Sequence, residues 1–186
     1  MRVIFTKTKF FCGLAALILA VAPMQLSAQQ SSSDNNGAYM GLGYLHIDVE
    51  SATIEGIHFT GDGDGLELLL GYRFTDNFSA EISYIDADYN LKGNGINIGD
   101  ATADGILAKL LVHGNLSRFN PFIGIVYGDV EYDVNLLGVS GQVDDSGVAY
   151  IIGADMAASD NLSVRLSYET CGDCDDFLFI GPIYRF

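Results

Sequence analysis

Eight stretches of this chain alternate residue by residue between two kinds of side chain, and this period of two is the feature that most constrains the fold. In GLELLLGYRF, Leu68 and Leu70 share one face with Phe74, while Glu67 and Arg73 share the other. Successive side chains of a β-strand point to opposite faces, so the pattern predicts strands, and no convincing helical period occurs. The eight runs are AYMGLGY, GLELLLGYRF, FSAEISY, GILAKLLV, PFIGIVYG, VAYIIGADM, LSVRLSYE and LFIGPIYRF.

The two faces of these runs differ in a way that indicates which one points inward. One face is apolar in all eight runs, and the other mixes glycine and serine with the charges that lie within the runs. A soluble sandwich or a lipocalin-like barrel would also alternate, but the outer face of so acidic a chain should then carry many acids. Small residues and paired charges suit the lumen of a narrow barrel with lipid outside. The sequence therefore predicts an all-β fold, an eight-stranded antiparallel up-and-down transmembrane β-barrel.

The connections between the runs alternate in length. TDN, GNLSRFN and SDN are short, whereas the stretches 48–64, 86–104, 129–147 and 170–176 are longer and acidic. Short turns in the periplasm and long loops outside the cell are the plan of outer-membrane barrels. The sequence predicts acidic extracellular loops.

Aromatic residues on the apolar face fall at two heights when the runs are threaded up and down. This arrangement predicts one aromatic girdle at each membrane interface. The extracellular set is Tyr44, Tyr84, Tyr127, Tyr150 and Tyr168, and the periplasmic set is Phe74, Phe78, Tyr184 and Phe186.

Charges on the opposite face would lie in the lumen. We expect them to pair and to plug the interior, because eight strands leave a space that side chains about fill. A narrow proton or ion path is the alternative. The expected network is Glu67, Arg73, Glu81, Lys109, Asp155, Arg165, Glu169 and Arg185.

The amino terminus has the order of a secretory signal peptide. Basic residues precede the apolar run FFCGLAALILAVA, and small residues around Ala28 offer a cleavage site. The run is short for a membrane anchor. The predicted organisation is a cleaved signal peptide over 1–28, a short polar leader over 29–36 and a barrel domain over 37–186.

Export changes the charge balance of the chain. Losing Arg2, Lys7 and Lys9 leaves 6 of the 9 basic residues against 24 acidic ones, so the mature net charge is 6 − 24 = −18. Such a chain would be repelled by phosphates, which argues against a nucleic-acid partner.

Cys171 and Cys174 in CGDCDD are the cysteines that remain after export. In an oxidising compartment they could form a small loop disulfide, or stay as two free thiols. Redox catalysis and zinc binding are disfavoured because there is no βαβ setting and no second CxxC.

No stretch carries a convincing catalytic or metal motif, and we predict no cofactor. TGDGDG around Asp62 and Asp64 begins like a calcium loop but lacks the distal glutamate, so a Gly/Asp turn is favoured over weak divalent binding. His46, with Asp48 and Ser51 nearby, and His58 and His113 invite a hydrolase hypothesis, yet proximity in sequence is not triad geometry. We interpret them as polar loop and rim residues.

These features together resemble the small outer-membrane β-barrel family of the OmpA/OmpX type, over essentially the whole mature chain. The likeness rests on GAYMGLGY, on PFIGIVYGDV and on the terminal GPIYRF, while GDGDG and Pro182 depart from the pattern. The resemblance implies that Tyr184 and Phe186 belong to the signal read by the barrel-assembly machinery. It also implies contact with outer-membrane lipid and lipopolysaccharide, and a non-enzymatic envelope role in which acidic loops contact a surface partner or cations. A lipid A-modifying enzyme and a narrow pore are the alternatives.

Overall fold

A computed structural model of the chain describes residues 36–54, 57–116, 118–136, 139–170 and 175–186. The predicted signal peptide and the cysteines Cys171 and Cys174 lie outside these ranges, as does all of the leader except Asn36. The strands are β1 (Gly37–Ile54), β2 (Ile57–Thr75), β3 (Phe78–Gly93), β4 (Ile96–His113), β5 (Phe119–Leu136), β6 (Val139–Ala157), β7 (Leu162–Thr170) and β8 (Asp176–Arg185).

The eight strands form a closed antiparallel barrel. Each strand pairs with the next in the chain, and β8 closes the ring against β1 from Tyr39, opposite Arg185, to Asp48, opposite Asp176. Closure gives every strand a hydrogen-bonding partner on both sides, which the backbone N–H and C=O groups need because lipid offers them none. The predicted fold class is confirmed. No helix of membrane-spanning length and hydropathy occurs within the described residues.

Six of the strands are much longer than the sequence runs suggested. β1 to β6 each contain 16 to 19 residues, whereas β7 has 9 and β8 has 10. A tilted strand crosses a bilayer in about 9–11 residues, so the longer strands continue beyond the membrane as hairpins. The prediction of long loops over 48–64, 86–104 and 129–147 is therefore wrong in conformation, because most of these residues are paired strand.

The alternation that defines the strands continues through the acidic segments. Ala87 and Tyr89 point inward and are buried, while Asp86 and Asp88 on the same strand are exposed. Apolar residues on one face and acids on the other still satisfy the period of a strand. The β3–β4 hairpin ends in a two-residue turn at Asn94 and Gly95, both with positive φ (49° and 80°), as a type I′ turn requires.

The stretch GDGDG also lies within a strand, so its interpretation as a turn is wrong. Gly63 and Gly65 of β2 face inward, and Asp62 and Asp64 face outward. A Cβ added to Gly65 would lie 2.5 Å from the Cβ of Ala87. These glycines therefore allow two neighbouring strands of the narrow barrel to approach closely, and they do not form a turn.

The interior has two regions along the barrel axis. Charged and polar side chains fill the lumen between the two sets of aromatic residues, with Tyr39, Leu111 and Phe122 packed among them. Toward the extracellular end the buried inward residues are apolar. They are Leu45, Ile47, Ile85, Ala87, Tyr89, Ala101, Ala103 and Val130.

Candidate functional site: charged lumen, membrane belt and acidic rim

The upper part of the charged lumen is centred on Lys109 of β4. Its Nζ donates to Glu67 Oε1 of β2 over 2.7 Å and also to Glu169 of β7. The side chains of these three residues are 1% to 4% exposed. One ammonium group therefore ties three strands together across the lumen.

The middle of the lumen is centred on Arg165 of β7. Its Nε and Nη2 donate to the two carboxylate oxygens of Asp155 over 2.7 and 3.1 Å, and its Nη1 donates to Glu81 Oε1 over 2.6 Å. The guanidinium carbon also lies 4.7 Å from the ring centroid of Phe122. Bidentate pairing and stacking are the contacts that suit a planar guanidinium.

Tyr39 of β1 completes this middle cluster. Its hydroxyl donates to Glu81 Oε1 over 2.6 Å, and its ring lies over Gly71. A Cβ at Gly71 would lie 2.3 Å from the ring, so only glycine leaves room for Tyr39 to reach Glu81.

The periplasmic part of the network holds a contact that the sequence did not predict. Arg73 Nη2 lies 2.9 Å from His113 Nδ1, and His113 Nε2 lies 2.7 Å from Ser79 Oγ. We expected a carboxylate partner for Arg73, whereas this contact is with an imidazole. Arg185 is half-buried near the periplasmic end of β8. The pattern could have suggested the pairing, because Ser79 and His113 both fall on inward positions of neighbouring strands.

The hydrogen-bond directions at His113 determine its tautomer. A guanidinium can only donate, so Nδ1 of His113 must accept from Arg73 and carry no proton. The proton of the neutral ring is then on Nε2, which donates to Ser79 Oγ. A catalytic base needs the opposite arrangement, with a lone pair facing the serine hydroxyl. In this tautomer His113 cannot accept a proton from the Ser79 hydroxyl.

The outward faces of the strands form an apolar belt between two aromatic levels. The girdle tyrosines at the extracellular level are exposed, apart from Tyr127, which is partly exposed. Tyr168 OH donates to Asp176 over 2.6 Å, and Tyr44 OH donates to Asp64. These tyrosines join the apolar belt to the acidic residues above it, as expected of side chains at a membrane interface.

The lower aromatic level contains the last residue of the chain. The rings of Tyr184 and Phe186 lie 5.5 Å apart at 80°, and Phe186 N–H donates to Ala38 O over 3.1 Å. Phe74 and Phe78 are likewise exposed on the outward face. Phe186 thus closes the ring of backbone contacts beside β1 while its side chain faces lipid.

His46 lies above Tyr44 on the outward face of β1, among carboxylates. Its Nδ1 is 2.7 Å from Asp64 Oδ1, and its Nε2 is 3.6 Å from Asp48 Oδ1. The hydrogen bond with Asp64 raises the pKa of His46, and the bonds from Tyr44 and His46 lower the pKa of Asp64. The side chains of Ser51 and His58 lie outside the described residues. Within the described ranges no group of three or more His, Cys, Asp or Glu side chains could hold a metal ion.

Four acids lie side by side on the outward face of the extracellular hairpins. Asp86 is opposite Asp104, Asp104 opposite Glu131, and Glu131 opposite Asp144, from β3 to β6. We call these four residues the acid row. Desolvation by neighbouring groups and the charges of Asp144, Asp104 and Asp133 raise the pKa of Glu131, although the residue is exposed. Like charges directly opposite each other destabilise a sheet, so this face favours a positively charged neighbour.

Comparison with known families identifies the chain. Residues 14–177 match the model of the outer membrane protein beta-barrel domain. The chain belongs to this family. The match covers most of the chain, and it agrees with the closed barrel, the apolar belt and the two aromatic levels.

Solved structures support the same fold. Neisserial surface protein A is 17% identical, with a TM-score of 0.61, over 81% of this chain and 97% of that one. Ail, the attachment invasion locus protein of Yersinia pestis, is 17% identical, with a TM-score of 0.58, over 80% of this chain and 97% of that one. Comparison with curated proteins gives no match. This family member is an outer-membrane β-barrel whose belt faces lipid.

Proposed function

We propose that this outer-membrane barrel is non-enzymatic, with a sealed lumen and a structural or surface role carried by its acidic extracellular hairpins. The observation that supports this most directly is the closure of the lumen by Lys109 between Glu67 and Glu169. Above this cluster the inward residues are apolar and buried, among them Ile47 and Ile85. The barrel interior then has two successive barriers to ions.

The narrow-pore alternative requires a continuous polar path. The polar column of the lumen runs from Arg73 and His113 through Arg165 to Lys109, and the apolar residues at the extracellular end interrupt it. Moving an ion through such a region carries a large desolvation cost. We therefore favour a barrel that does not conduct.

The lipid A-modifying alternative requires a serine–histidine pair at the outer-leaflet rim. The described pair, Ser79 and His113, is buried near the periplasmic end and carries the unsuitable tautomer. At the outer rim, His46 is bonded to Asp64, without a described serine in that contact. These placements favour a non-enzymatic role.

Lipid A mass spectrometry tests this choice. Strains with the gene, without it, and with Ser79→Ala or His46→Ala should give the same lipid A species. Loss of an acyl or other lipid A modification on deletion, restored by the wild-type gene and not by one of the variants, would establish the enzyme alternative.

The acidic surface also limits the class of extracellular partner. Ail of Yersinia pestis has been crystallised with the heparin analogue sucrose octasulfate. In our protein the acid row would repel a sulfated sugar. We propose that the acidic hairpins contact cations or cationic partners, and that lipopolysaccharide contacts the belt below them.

We propose that residues 1–28 are removed, so that the mature chain begins at Gln29, and that the barrel-assembly machinery reads Tyr184 and Phe186. We propose that Cys171 and Cys174 form a loop disulfide. The mass of the protein purified from outer membranes, before and after reduction and alkylation, tests both the cleavage site and the disulfide.

A further inference from the structure

The wall of the barrel is lower on one side, because the β7–β8 hairpin is short. β6 pairs with β7 only from Tyr150 to Ala157, and β1 pairs with β8 only up to Asp48. Above these points, among the residues that the structure describes, β1 to β6 continue as a six-stranded sheet with two edges.

One of these edges is long and has a defined hydrogen-bonding direction. We call residues 139–149 of β6 the β6 edge. They pair with β5 on one side, and among the described residues no strand pairs with their other side. Two backbone hydrogen bonds near the periplasmic end show which residues direct their backbone groups toward β5. Ala157 N–H donates to Arg118 O, so the odd-numbered residues of β6 bond to β5, whereas Gly114 N–H donates to Pro121 O on the other side of β5. Antiparallel alternation then directs the N–H and C=O groups of Ser140, Gln142, Asp144, Ser146 and Val148 away from β5.

The side chains of the β6 edge differ between its two faces. On the inward (concave) face Val143 lies opposite Tyr132, and Val139 lies opposite Leu136. The two valines, Val143 and Val139, are nevertheless 55% and 73% exposed. On the outward (convex) face Asp144 is the last member of the acid row. A neighbouring strand would thus meet apolar side chains on one face and a line of carboxylates on the other.

We propose that the β6 edge binds an extended basic peptide segment, which adds to the sheet as a strand above β7. Backbone hydrogen bonds along an exposed edge are a known basis of peptide recognition, and alternate side chains supply the specificity. The segment would place lysine or arginine beside Asp144 and apolar residues against Val143 and Tyr132. This inference deepens the proposed function, on which it rests, by naming a class of partner for the acidic hairpins.

Two other occupants fit less well. A second copy of this chain would bring its own acidic hairpins against Asp144, and the mature chain carries a net charge of −18, from 6 basic and 24 acidic residues. The segment 171–174 could span at most about 3.5 Å per residue, which is too short to pair along the whole β6 edge.

A binding measurement tests the proposal on the purified mature protein in nanodiscs. The probe is a blocked, fluorescent peptide of alternating lysine and valine, about ten residues long to match the edge. Its controls are a glutamate-for-lysine peptide and a peptide of the same side chains with alternate backbone amides methylated. We expect the first peptide to bind in a salt-sensitive way and both controls to bind much more weakly.

Substitutions in β6 separate edge binding from general attraction to an acidic protein. Gln142→Pro removes an N–H that points away from β5, so no hydrogen bond to β5 is lost. Edge strands tolerate proline at such a position. The substitution should weaken binding about tenfold or more through lost hydrogen bonds and the added ring, whereas Gln142→Ala should leave binding unchanged. Asp144→Lys should weaken peptide binding more than Asp160→Lys does. The second variant makes the same change in net charge, but at a periplasmic turn.

The possible results lead to distinct conclusions. The proposal would be overturned if the peptide bound equally to the wild-type and Gln142→Pro proteins, once heat-modifiability has shown that both are folded. It would also be overturned if the methylated peptide bound as tightly as the unmethylated one. Dimers that form without peptide and disappear in Gln142→Pro would assign the edge to a second copy. Either failure leaves the lipid A result of the proposed function unaffected.

Discussion

Lys109 Nζ lies 2.7 Å from Glu67 Oε1, and the two side chains meet across the lumen from β4 and β2 with almost no contact with solvent. The same ammonium group also binds Glu169. Removing it would leave two carboxylates buried without their cation. The contact therefore matters for stability chiefly because the free energy of unfolding falls when one partner is removed and a buried charge is left unpaired.

We predict that Lys109→Met lowers the free energy of unfolding by about 3–5 kcal/mol, the cost of breaking a buried ion pair. Urea titration of the barrel in lipid vesicles measures the change. Lys92→Met is the matched control, because Lys92 and its partner Asp62 are 40% and 46% exposed. That change should cost at most about 1 kcal/mol. Equal effects of the two substitutions would argue against a buried network.

The apolar belt gives a depth-dependent prediction. Leu70 lies on the outward face of β2 between Leu66 and Phe74, so it is near the middle of the belt. Leu70→Arg should destabilise the barrel by about 2–4 kcal/mol in vesicles. Val148→Arg, above the level of Tyr150, should cost about 0–1 kcal/mol. A larger effect at Val148 than at Leu70 would contradict the assigned position of the membrane.

Phe186 gives a prediction that separates stability from assembly. The residue is 73% exposed at the periplasmic level, where a charge on the lipid face costs only about 0–1 kcal/mol. Phe186→Asp should therefore refold nearly normally into vesicles but assemble poorly in cells. Comparison of the folded fraction in the two settings makes the test. Wild-type yields in both would show that the terminal phenylalanine is incidental.

The rim contact of His46 predicts a defined pH dependence. Because Asp64 raises the pKa of His46, the stabilisation from protonated His46 is complete below its unfolded pKa of about 6.5 and is lost as pH rises through the higher folded value. Asp64 has a lowered pKa, so its contribution is present above about 3.9 and is lost as pH falls through the lower folded value.

An NMR titration of the His46 ring in nanodiscs measures this shift. The midpoint should lie above about 6.5 and move toward that value in Asp64→Asn. Asp48 and Asp62 also raise the pKa of His46, so a smaller upward shift should remain in that variant. A wild-type midpoint below the ordinary value would contradict the contact between His46 and Asp64.

The sequence predicted the strand faces well because the apolar belt is a simple alternation. It predicted the strand ends poorly, because acids were taken as loop residues even where an apolar inward neighbour continued the period, as at Asp88 and Tyr89. Asn94–Gly95 is a strong type I′ hairpin signal and could have indicated that β3 and β4 meet there.

The contacts within the lumen were harder to predict from the sequence. Inward charges can be identified from alternation, but partners depend on strand tilt and stagger around the ring. Lys109 is directly opposite Glu81 in the sheet, yet it bonds Glu67 and Glu169, while Glu81 bonds Arg165. The Arg73–His113–Ser79 chain likewise depends on three side chains converging from β2, β3 and β4.

Conductance across a planar lipid bilayer tests the central claim, a barrel sealed by its ion pairs and its apolar extracellular end. The purified mature protein should insert without steady current at either polarity, and Lys109→Met should not open a channel, because the apolar residues above it remain. Insertion can be verified in the same preparation by heat-modifiability. A stable current of uniform step size from the wild-type protein would show a continuous water-filled path and contradict the account.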